Sequence, residues 1–398
     1  LDVVLVGNPI MHHVVLGIDP TPLGQAPFVL ATDGSVTTRA TDLELNAPVA
    51  EVHLLPCIAG HVGADPAAAI LAEGAHRDHE LQLLVDVGTN AEIVLGRRGE
   101  LYAASSPTGP AFEGAQISAG MRATAGAIER VRIDPSTLEP RVRVIGAESW
   151  SDEPGFAEET ADLDIAGICG SGIIEAIGEL HLAGVIDPDG TIRGDLAAVN
   201  GGPSERVVPI GRTYGFRLLG DGDLGATDGA ERSDGGTGRD VLVTQDDVRA
   251  IQLAKAALRA GIDLLAERAG VSDPSDLGSV RIAGAFGAHI DPIYAKVLGL
   301  VPDTPVDRIR SVGNAAGIGA LRALLSSSER DEIDAVARRV EKVETAIEPR
   351  FQELFVEAMG FPHSSTPTPH LADEVTLPEA RPAQEAGRRR RNRRRHPS

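Results

Sequence analysis

The chain is poor in cysteine, in aromatic residues and in long apolar runs, and each shortage excludes a class of protein. Its 398 residues include only two cysteines, Cys57 and Cys169, too few for a disulfide framework or a four-cysteine iron–sulfur cluster. Aromatic residues make up 3% of the sequence, which argues against stacking platforms for single-stranded bases. The apolar runs are far shorter than the roughly 20 residues of a membrane-spanning helix, and no signal segment opens the chain. We therefore expect a cytoplasmic protein with no membrane association.

Positive charge is also scarce, except at the C-terminus. The net charge is −21, although residues 387–398, GRRRRNRRRHPS, contain seven arginines and no acid. An acidic body repels nucleic acid, so we expect no nucleic-acid binding by the folded part. The arginine run itself is typical of a solvated, disordered end, with contact to nucleic acid or an acidic partner as the alternative.

What the sequence does contain is the alternation of an α/β architecture. Short β-branched runs alternate with amphipathic helical stretches. The clearest helix, 245–269, has a capping-box-like start at Thr244 and Asp247 and a stop at Gly270. Closely spaced strands between 81 and 104 predict a mixed sheet that begins with an antiparallel meander. The predicted strands are 2–6, 51–55, 81–87, 92–95, 101–104, 141–145, 241–243 and 279–283.

Changes in composition suggest where the folded part is interrupted and where it ends. Residues 220–239 are rich in glycine and aspartate and poor in apolar residues, which predicts a mobile surface loop. From about Thr366 proline, alanine and charge replace periodicity, so we expect the fold to end near Pro362 and a disordered Arg-rich tail over 363–398. The chain opens on Leu1 inside an apparent strand, LDVVLVG, which predicts a fragment of a longer protein.

The strongest motif is the segment LLVDVGTNAEIVLG. An apolar strand ends in Asp86, Gly88 permits a tight turn, and a second strand returns. Backbone N–H groups of the turn and the Thr89 hydroxyl are suited to binding phosphate oxygens, so Gly88, Thr89 and Asn90 are candidate nucleotide-binding residues. Asp86 at the strand end is a candidate catalytic residue, able to orient a water or to hold Mg²⁺ through water. A plain hairpin with a polar turn is the alternative.

Two further glycine-rich motifs are candidates for the same ligand. In GPAFEGA, Glu113 places a carboxylate beside the flexible Gly114, although a strand-to-helix connection needs no ligand. In GICGSG, small residues lead directly into a helix N-terminus, where free N–H groups and the helix dipole favour an anion. Tight helix packing is a compatible alternative there. The candidate residues of GICGSG are Gly170, Ser171 and Gly172.

The remaining candidates are weaker. In RIAGAFG, a strand runs into Gly284, Ala285 and Gly287, which form either a shelf for a flat ring such as adenine or a crowded crossover. The adjacent His12 and His13 follow the first strand, but neighbouring side chains on a helix diverge and no motif completes a metal site. We predict that they are helix-surface and core residues.

Taken together and in this order, the motifs resemble the reductive activators of corrinoid proteins. These ATP-dependent activators belong to the acetate and sugar kinase, heat-shock chaperone and actin (ASKHA) superfamily. The similarity extends from residue 1 to about residue 362. The matching strings are VGNPIMHHVVLGIDP, LPCIAGHVGAD, LLVDVGTNAEIVLG, GPAFEGAQISAGMRATAGAIE, GICGSGIIEAI, IQLAKAALRAGI, RIAGAFGAHID, LGLVP and VGNAAGIGA.

The resemblance implies an RNase H-like, actin-like ATPase fold of two lobes with ATP and Mg²⁺ between them. Residues 1–80 would form the C-terminal part of the first lobe and 81–362 the second. Lys255 lies on a helix that would flank the nucleotide, with a surface lysine as the alternative. The implied second phosphate loop is Asp86, Gly88, Thr89 and Asn90, and the implied adenosine segment is Gly284, Ala285 and Gly287.

The resemblance also implies a function and partners. The expected activity, in the full-length protein, is ATP binding and hydrolysis coupled to restoring the Co(I) state of a corrinoid methyl-transfer protein, whereas this fragment alone is expected to hold an incomplete ATP site. Electrons would come from a donor or from a ferredoxin-like domain, and a 2Fe–2S cluster is expected only in an N-terminal domain missing here, together with the first phosphate loop. Two alternatives are a small-molecule kinase, with Glu113 as its base, and a non-catalytic, nucleotide-gated interaction module.

Overall fold

The computed structural model describes residues 2–220, 223, 240–284 and 287–378. In these ranges no helix is both long and apolar enough to cross a membrane. The strands are β1 (Asp2–Leu5), β2 (Val36–Arg39), β3 (Glu51–Leu54), β4 (Leu81–Val87), β5 (Ala91–Arg97), β6 (Glu100–Ser106), β7 (Ala127–Ile133), β8 (Pro140–Val144), β9 (Gly167–Ile168), β10 (Val207–Ile210), β11 (Thr213–Leu219), β12 (Val241–Thr244), β13 (Leu277–Ala283), β14 (Ile309–Gly313) and β15 (Glu341–Lys342). The helices are α1 (Pro9–Val15), α2 (Ala64–Glu73), α3 (Phe156–Glu159), α4 (Gly170–Leu182), α5 (Gln245–Arg268), α6 (Pro292–Leu298), α7 (Ala315–Leu325), α8 (Ser327–Ala337), α9 (Pro349–Glu357) and α10 (Pro369–Glu374).

The central element is a six-stranded sheet in the order β14-β13-β4-β5-β6-β15. Strands β4, β5 and β6 form an antiparallel meander, while β13 runs parallel to β4 and to β14. This is the mixed, RNase H-like arrangement of an ASKHA domain, and the predicted meander is confirmed. Each predicted strand lies within two residues of an observed one. The structure also contains smaller sheets with the strand orders β1-β3-β2, β8-β7-β9 and β10-β11-β12.

The two faces of the main sheet are buried by different helices. Because side chains alternate along a strand, Leu83 and Leu95 join the core that contains α5, whereas Leu84 and Val94 join the core that contains α2. The α5 helix starts with the predicted capping box and ends before Gly270, whose φ of +68° is the left-handed conformation typical of a helix end.

Helix α2 packs against α7 at very short range. A Cβ atom placed on Gly319 of α7 would lie 1.8 Å from the carbonyl oxygen of Ala68 in α2. Asn314 caps α7: its side chain accepts a hydrogen bond from Gly317 N at 2.8 Å. The close packing of α2 against α7 therefore holds α2, which lies in the first 78 residues, at the end of the main sheet.

The ordered chain continues beyond Pro362, so the expected end of the fold is wrong. Helix α10 follows, and its Leu371 is fully buried. Glu374 accepts a hydrogen bond from the Nζ atom of Lys296 at 2.8 Å, and Asp303 lies 3.2 Å from the same ammonium. A buried lysine needs such partners, and this requirement cannot be read from local periodicity. Residues 379–398 and most of the predicted loop 220–239 lie outside the described residues.

We expect Gly319→Ala to lower the free energy of unfolding by about 1–3 kcal/mol, because the added methyl group overpacks the contact with α2. Alanine is a better helix former than glycine by about 1 kcal/mol, so helix propensity alone would make Gly319→Ala more stable. A measured loss of stability would therefore come from the contact with α2. Urea denaturation of the purified protein measures it.

The matched control is Gly34→Ala, since no atom lies within 4 Å of a Cβ built there. This control should leave the unfolding free energy nearly unchanged. A stabilised Gly319→Ala protein would contradict the close α2–α7 contact.

Candidate functional site

The aspartate of the predicted phosphate hairpin lies opposite a glutamate. In the antiparallel pair β4–β5, Asp86 is in register with Glu92. Leu84 precedes Asp86 by two residues and Val94 follows Glu92 by two, and both belong to the core beneath α2. Strand alternation therefore directs both carboxylates to the α2 side of the sheet. Two like charges at such a position repel each other unless a proton or a cation intervenes.

A third carboxylate comes from the first turn of α2. The N–H of Ala64 donates to the carbonyl oxygen of Gly7 at 3.0 Å, which fixes the start of this helix. Asp65 follows, and its Oδ1 atom is buried without a hydrogen-bond partner among the described residues. The charge of Asp86 acts on this carboxylate. We call Asp65, Asp86 and Glu92 the acid cluster.

Burial raises the pKa values of all three acids. It raises the pKa of Asp65 to about 6, with a further contribution from the charge of Asp86. It also raises the pKa of Asp86 to about 6. The pKa of Glu92 is raised well above its ordinary value by burial and then by the charges of the other two. Carboxylates in this state gain most from a proton or a cation.

The acid cluster suits a hydrated divalent cation better than a directly coordinated one. Within the described ranges, the only three-ligand set whose atoms all lie within 4.8 Å of one another is on another sheet. Mg²⁺ retains several waters and is held by one or two carboxylates, so it does not need a compact cage. The unpartnered Oδ1 of Asp65 and the raised pKa values fit such an ion, which Asp86 at the strand end could hold through water.

The hairpin turn beside the acid cluster presents unpaired donors. Thr89 and Asn90 are exposed, and among the described residues their N–H groups donate to no protein acceptor. The hydroxyl oxygen of Thr108 lies 3.1 Å from the carbonyl oxygens of both Gly88 and Thr89, and it donates its one proton to this pair of acceptors. Thr108 therefore holds the turn through its carbonyl groups, while the N–H groups of Thr89 and Asn90 remain available. Free N–H groups at a turn are the arrangement that binds phosphate oxygens.

The structure brings Glu113 and Gly284 to this hairpin. The Thr89 hydroxyl donates to Oε1 of Glu113 at 2.9 Å, and Gly114 follows with a φ of +81°. Gly284 also has a positive φ, +97°, and a Cβ there would lie 2.5 Å from the carbonyl oxygen of Val87 and 2.7 Å from Oδ1 of Asp86. Only glycine fits at position 284 without moving the carboxylate. Ala285 lies outside the described residues.

The other glycines of the predicted site have packing roles. Gly170, Ser171 and Gly172 open α4, as expected, but a Cβ on Gly172 would lie 2.3 Å from the carbonyl oxygen of Ile128. Gly172 thus lets α4 approach β7, and in the described part of the chain no hydrogen bond or ion pair joins this helix start to the hairpin. Gly287 begins a short 3-10 turn, and its carbonyl accepts a hydrogen bond from the Ser311 hydroxyl at 2.8 Å.

Lys255 does not contact the hairpin, and neither of its expected roles is correct. Its side chain is fully buried, and its Nζ donates to the carbonyls of Gly360 and Pro362, at 2.5 and 2.9 Å. The ring of Phe361 lies 5.3 Å from the ammonium. Burial, followed by the charge of Arg259, lowers the pKa of Lys255 well below its usual range. Its partners come from the C-terminal segment, more than a hundred residues away, so no local pattern indicated them.

Sequence reasoning missed three contributors to the site. Glu92 was part of the hairpin motif, and its position opposite Asp86 follows from the length of the turn and the period of a strand. Asp65 and Thr108 gave no comparable signal, because each reaches the hairpin only through tertiary packing. The expected histidine on the α1 surface is also wrong, since His12 and His13 are both buried.

Comparisons with known proteins agree with this geometry. Residues 80–372 match the family described as the C-terminal domain of RACo, the ASKHA domain, and residues 1–78 match the RACo middle region. A solved structure, "Reductive activator for corrinoid,iron-sulfur protein", aligns with a TM-score of 0.76 at 30% identity and covers 92% of this chain and 53% of that one.

Two curated relatives are similar along most of the chain. The "Corrinoid activation enzyme RamQ" of Eubacterium limosum is 36% identical over 352 residues, which are 88% of this chain and 54% of that protein. The "[Co(II) methylated amine-specific corrinoid protein] reductase" of Methanosarcina barkeri is 28% identical over 297 residues, 73% of this chain and 47% of that protein. The chain therefore spans about half the length of these relatives.

The resemblance inferred from the motifs is thus confirmed at the level of family and fold. With its ASKHA domain over residues 80–372 and its middle region over residues 1–78, the chain belongs to the RACo family.

Proposed function

We propose that this chain is the ATP-binding and ATP-hydrolysing part of a reductive activator that restores the Co(I) state of a corrinoid methyl-transfer protein. The observation that carries the proposal is the acid cluster beside the DVGTN hairpin, where raised carboxylate pKa values meet free backbone donors. The names of the relatives supply the corrinoid partner. In this proposal residues 1–80 act as part of the first actin-like lobe and residues 81–362 as the second.

Each part of the hairpin has a separate task in this proposal. The N–H groups of Thr89 and Asn90 bind phosphate oxygens. The Thr108 hydroxyl stabilises the conformation of the turn during binding, through its hydrogen bond to the turn carbonyls. Asp86 would hold Mg²⁺ through water, and the ion would neutralise charge on the transferring phosphoryl group. Gly284 leaves room for the Asp86 carboxylate. The reaction needs positioning and electrostatics rather than a covalent intermediate.

Asp65 links the ATP site to the middle region. It stands in the first turn of α2, and α2 is fastened to α7 and to the loop at Gly7. A change in charge at the phosphates therefore acts directly on a helix of the first 78 residues. Such a link between nucleotide and a neighbouring segment is what an activator requires, since ATP hydrolysis must be converted into movement rather than into a phosphorylated product.

We expect the ATPase rate of the purified protein to rise when a Co(II) corrinoid protein is added, and to stay constant with sugars or carboxylic acids. Phosphate release measures the rate, and liquid chromatography of the small molecules detects any phosphorylated product. A phosphorylated acid or sugar would show instead a kinase with Glu113 as base. Nucleotide binding with no hydrolysis under any condition would favour the interaction module.

We expect Asp86→Asn to reduce the ATPase rate about 10²- to 10³-fold, because a charged group acting on the transferring phosphoryl is lost. The dissociation constant for ATP should change much less, since the N–H donors of the hairpin remain. Phosphate release and equilibrium binding of a fluorescent ATP analogue separate the two effects. Glu80→Gln, at the exposed opposite end of β4, is the matched control, and unchanged turnover in Asp86→Asn would defeat the assignment.

The pKa values of the acid cluster predict a pH dependence of stability. An unfolded aspartate has a pKa of about 3.9, so a folded value of about 6 means that the native state holds extra protons between these limits. The stability contributed by these groups is therefore complete below about pH 4 and is lost as pH rises through about 6. In the absence of divalent cations, Asp86→Asn should raise the urea midpoint at pH 7.5 and have little effect at pH 4.

The same titration controls binding. Affinity for ATP with Mg²⁺ should increase between pH 5 and pH 7 in the unaltered protein, because the cation requires ionised carboxylates. Asp86→Asn should flatten this increase. A urea midpoint that falls at pH 7.5 in Asp86→Asn would show that the carboxylate is stabilising and would contradict its raised pKa.

A further inference from the structure

We propose that Asp2, Glu51 and His53 form a binding site for a divalent first-row transition metal on the small sheet β1-β3-β2, separate from the nucleotide site. Glu51 and His53 are two residues apart on β3, so their side chains share one face. The parallel strand β1 places Asp2 in register with Glu51. One ligand atom from each residue lies within 4.8 Å of the others, a separation that one ion can span.

His53 has the geometry of a metal-ligating histidine. The residue is 9% exposed, and its Nδ1 lies 3.0 Å from the hydroxyl oxygen of Thr37 on β2. Its Nε2 is buried, and among the described residues this atom has no hydrogen-bond partner. A neutral imidazole that donates from Nδ1 to an oxygen keeps its lone pair on Nε2, which is the form that binds metals. A buried nitrogen left without any partner would otherwise weaken the fold.

The carboxylates of the site lack a positive partner from the protein. Asp2 and Glu51 are exposed, and in the described part of the chain neither forms an ion pair. Arg39 is in register with Glu51 across β2–β3, but its guanidinium is engaged by Asp42, with the nearest N–O distance at 3.4 Å. The basic residue in register with Glu51 is therefore paired with Asp42 instead.

The mixture of ligands selects the class of metal. One imidazole nitrogen with two carboxylate oxygens suits zinc and its first-row neighbours, whereas Mg²⁺ and Ca²⁺ prefer oxygen alone. Water would complete the coordination, because three protein ligands leave at least one position open. The bound ion would join β1 to β3. The acid cluster at the hairpin contains no histidine, so the two sites differ in the cation they prefer.

Titration calorimetry with ZnCl₂ tests this site in the metal-stripped full chain, with Mg²⁺ in excess to occupy sites made only of oxygen. We expect one Zn²⁺ bound per chain and at least a tenfold loss of affinity in Glu51→Gln and in Asp2→Asn. Thr37→Val, which removes the partner of Nδ1, should weaken binding about 10- to 100-fold. His79→Gln, at an exposed histidine away from the site, is the matched control and should bind as the unaltered protein does.

His53→Gln should abolish the binding, and circular dichroism checks that this buried substitution still folds. If it does not fold, Glu51→Gln decides the question, because that side chain is exposed. Unchanged zinc affinity in a folded Glu51→Gln protein overturns the proposal. So does an equal loss in His79→Gln, or the absence of saturable binding to the unaltered chain.

Discussion

The contact between α2 and α7 is the constraint on which the candidate site depends. The carbonyl oxygen of Ala68 lies where a side chain at position 319 would begin, so glycine is required there. Alanines at 67, 68 and 69, all fully buried, keep α2 narrow around its axis. With α2 this close to the end of the main sheet, its first turn reaches β4 and β5, and Asp65 meets Asp86 and Glu92. Small residues in a helix interface thus determine the electrostatics of a site formed by other residues.

The acid cluster differs sharply from the buried Lys296. The Lys296 ammonium lies beside two carboxylates, so its charge is matched, as a buried charge in a stable core must be. Lys255 has two carbonyls and an aromatic ring as partners, and burial lowers its pKa. The acid cluster has three carboxylates and raised pKa values instead. Three carboxylates held close together are unfavourable, and such an arrangement is retained where a bound ligand can neutralise their charge. The acid cluster therefore indicates function more strongly than any single glycine motif.

Whether a feature could be predicted from the sequence depends on how far apart in the chain the interacting residues lie. The meander, the capping box of α5 and the Asn314 cap depend on residues a few positions apart, and each was predictable from spacing. The pairing of Asp86 with Glu92 is also local, because it spans a single turn. Asp65, the partners of Lys255 and the ordered α10 depend on contacts between segments far apart in the chain. Motif order gave the family, but it could not show that Lys255 faces the C-terminal segment instead of the hairpin.

The hairpin also connects the acid cluster to the opposite side of the domain. Thr89 donates its single hydroxyl proton to Glu113, in the loop that continues to Ser118. The N–H of Ser118 donates to Asp247 at 2.7 Å, and Asp247 closes the capping box of α5. A hydroxyl donates one hydrogen bond at a time. On the function proposed above, a phosphate oxygen that takes this proton releases Glu113, while the cation alters Asp65 on the other side. On that function, one ligand acts on α5 through a hydrogen-bond exchange and on α2 through charge, and both routes begin at the hairpin.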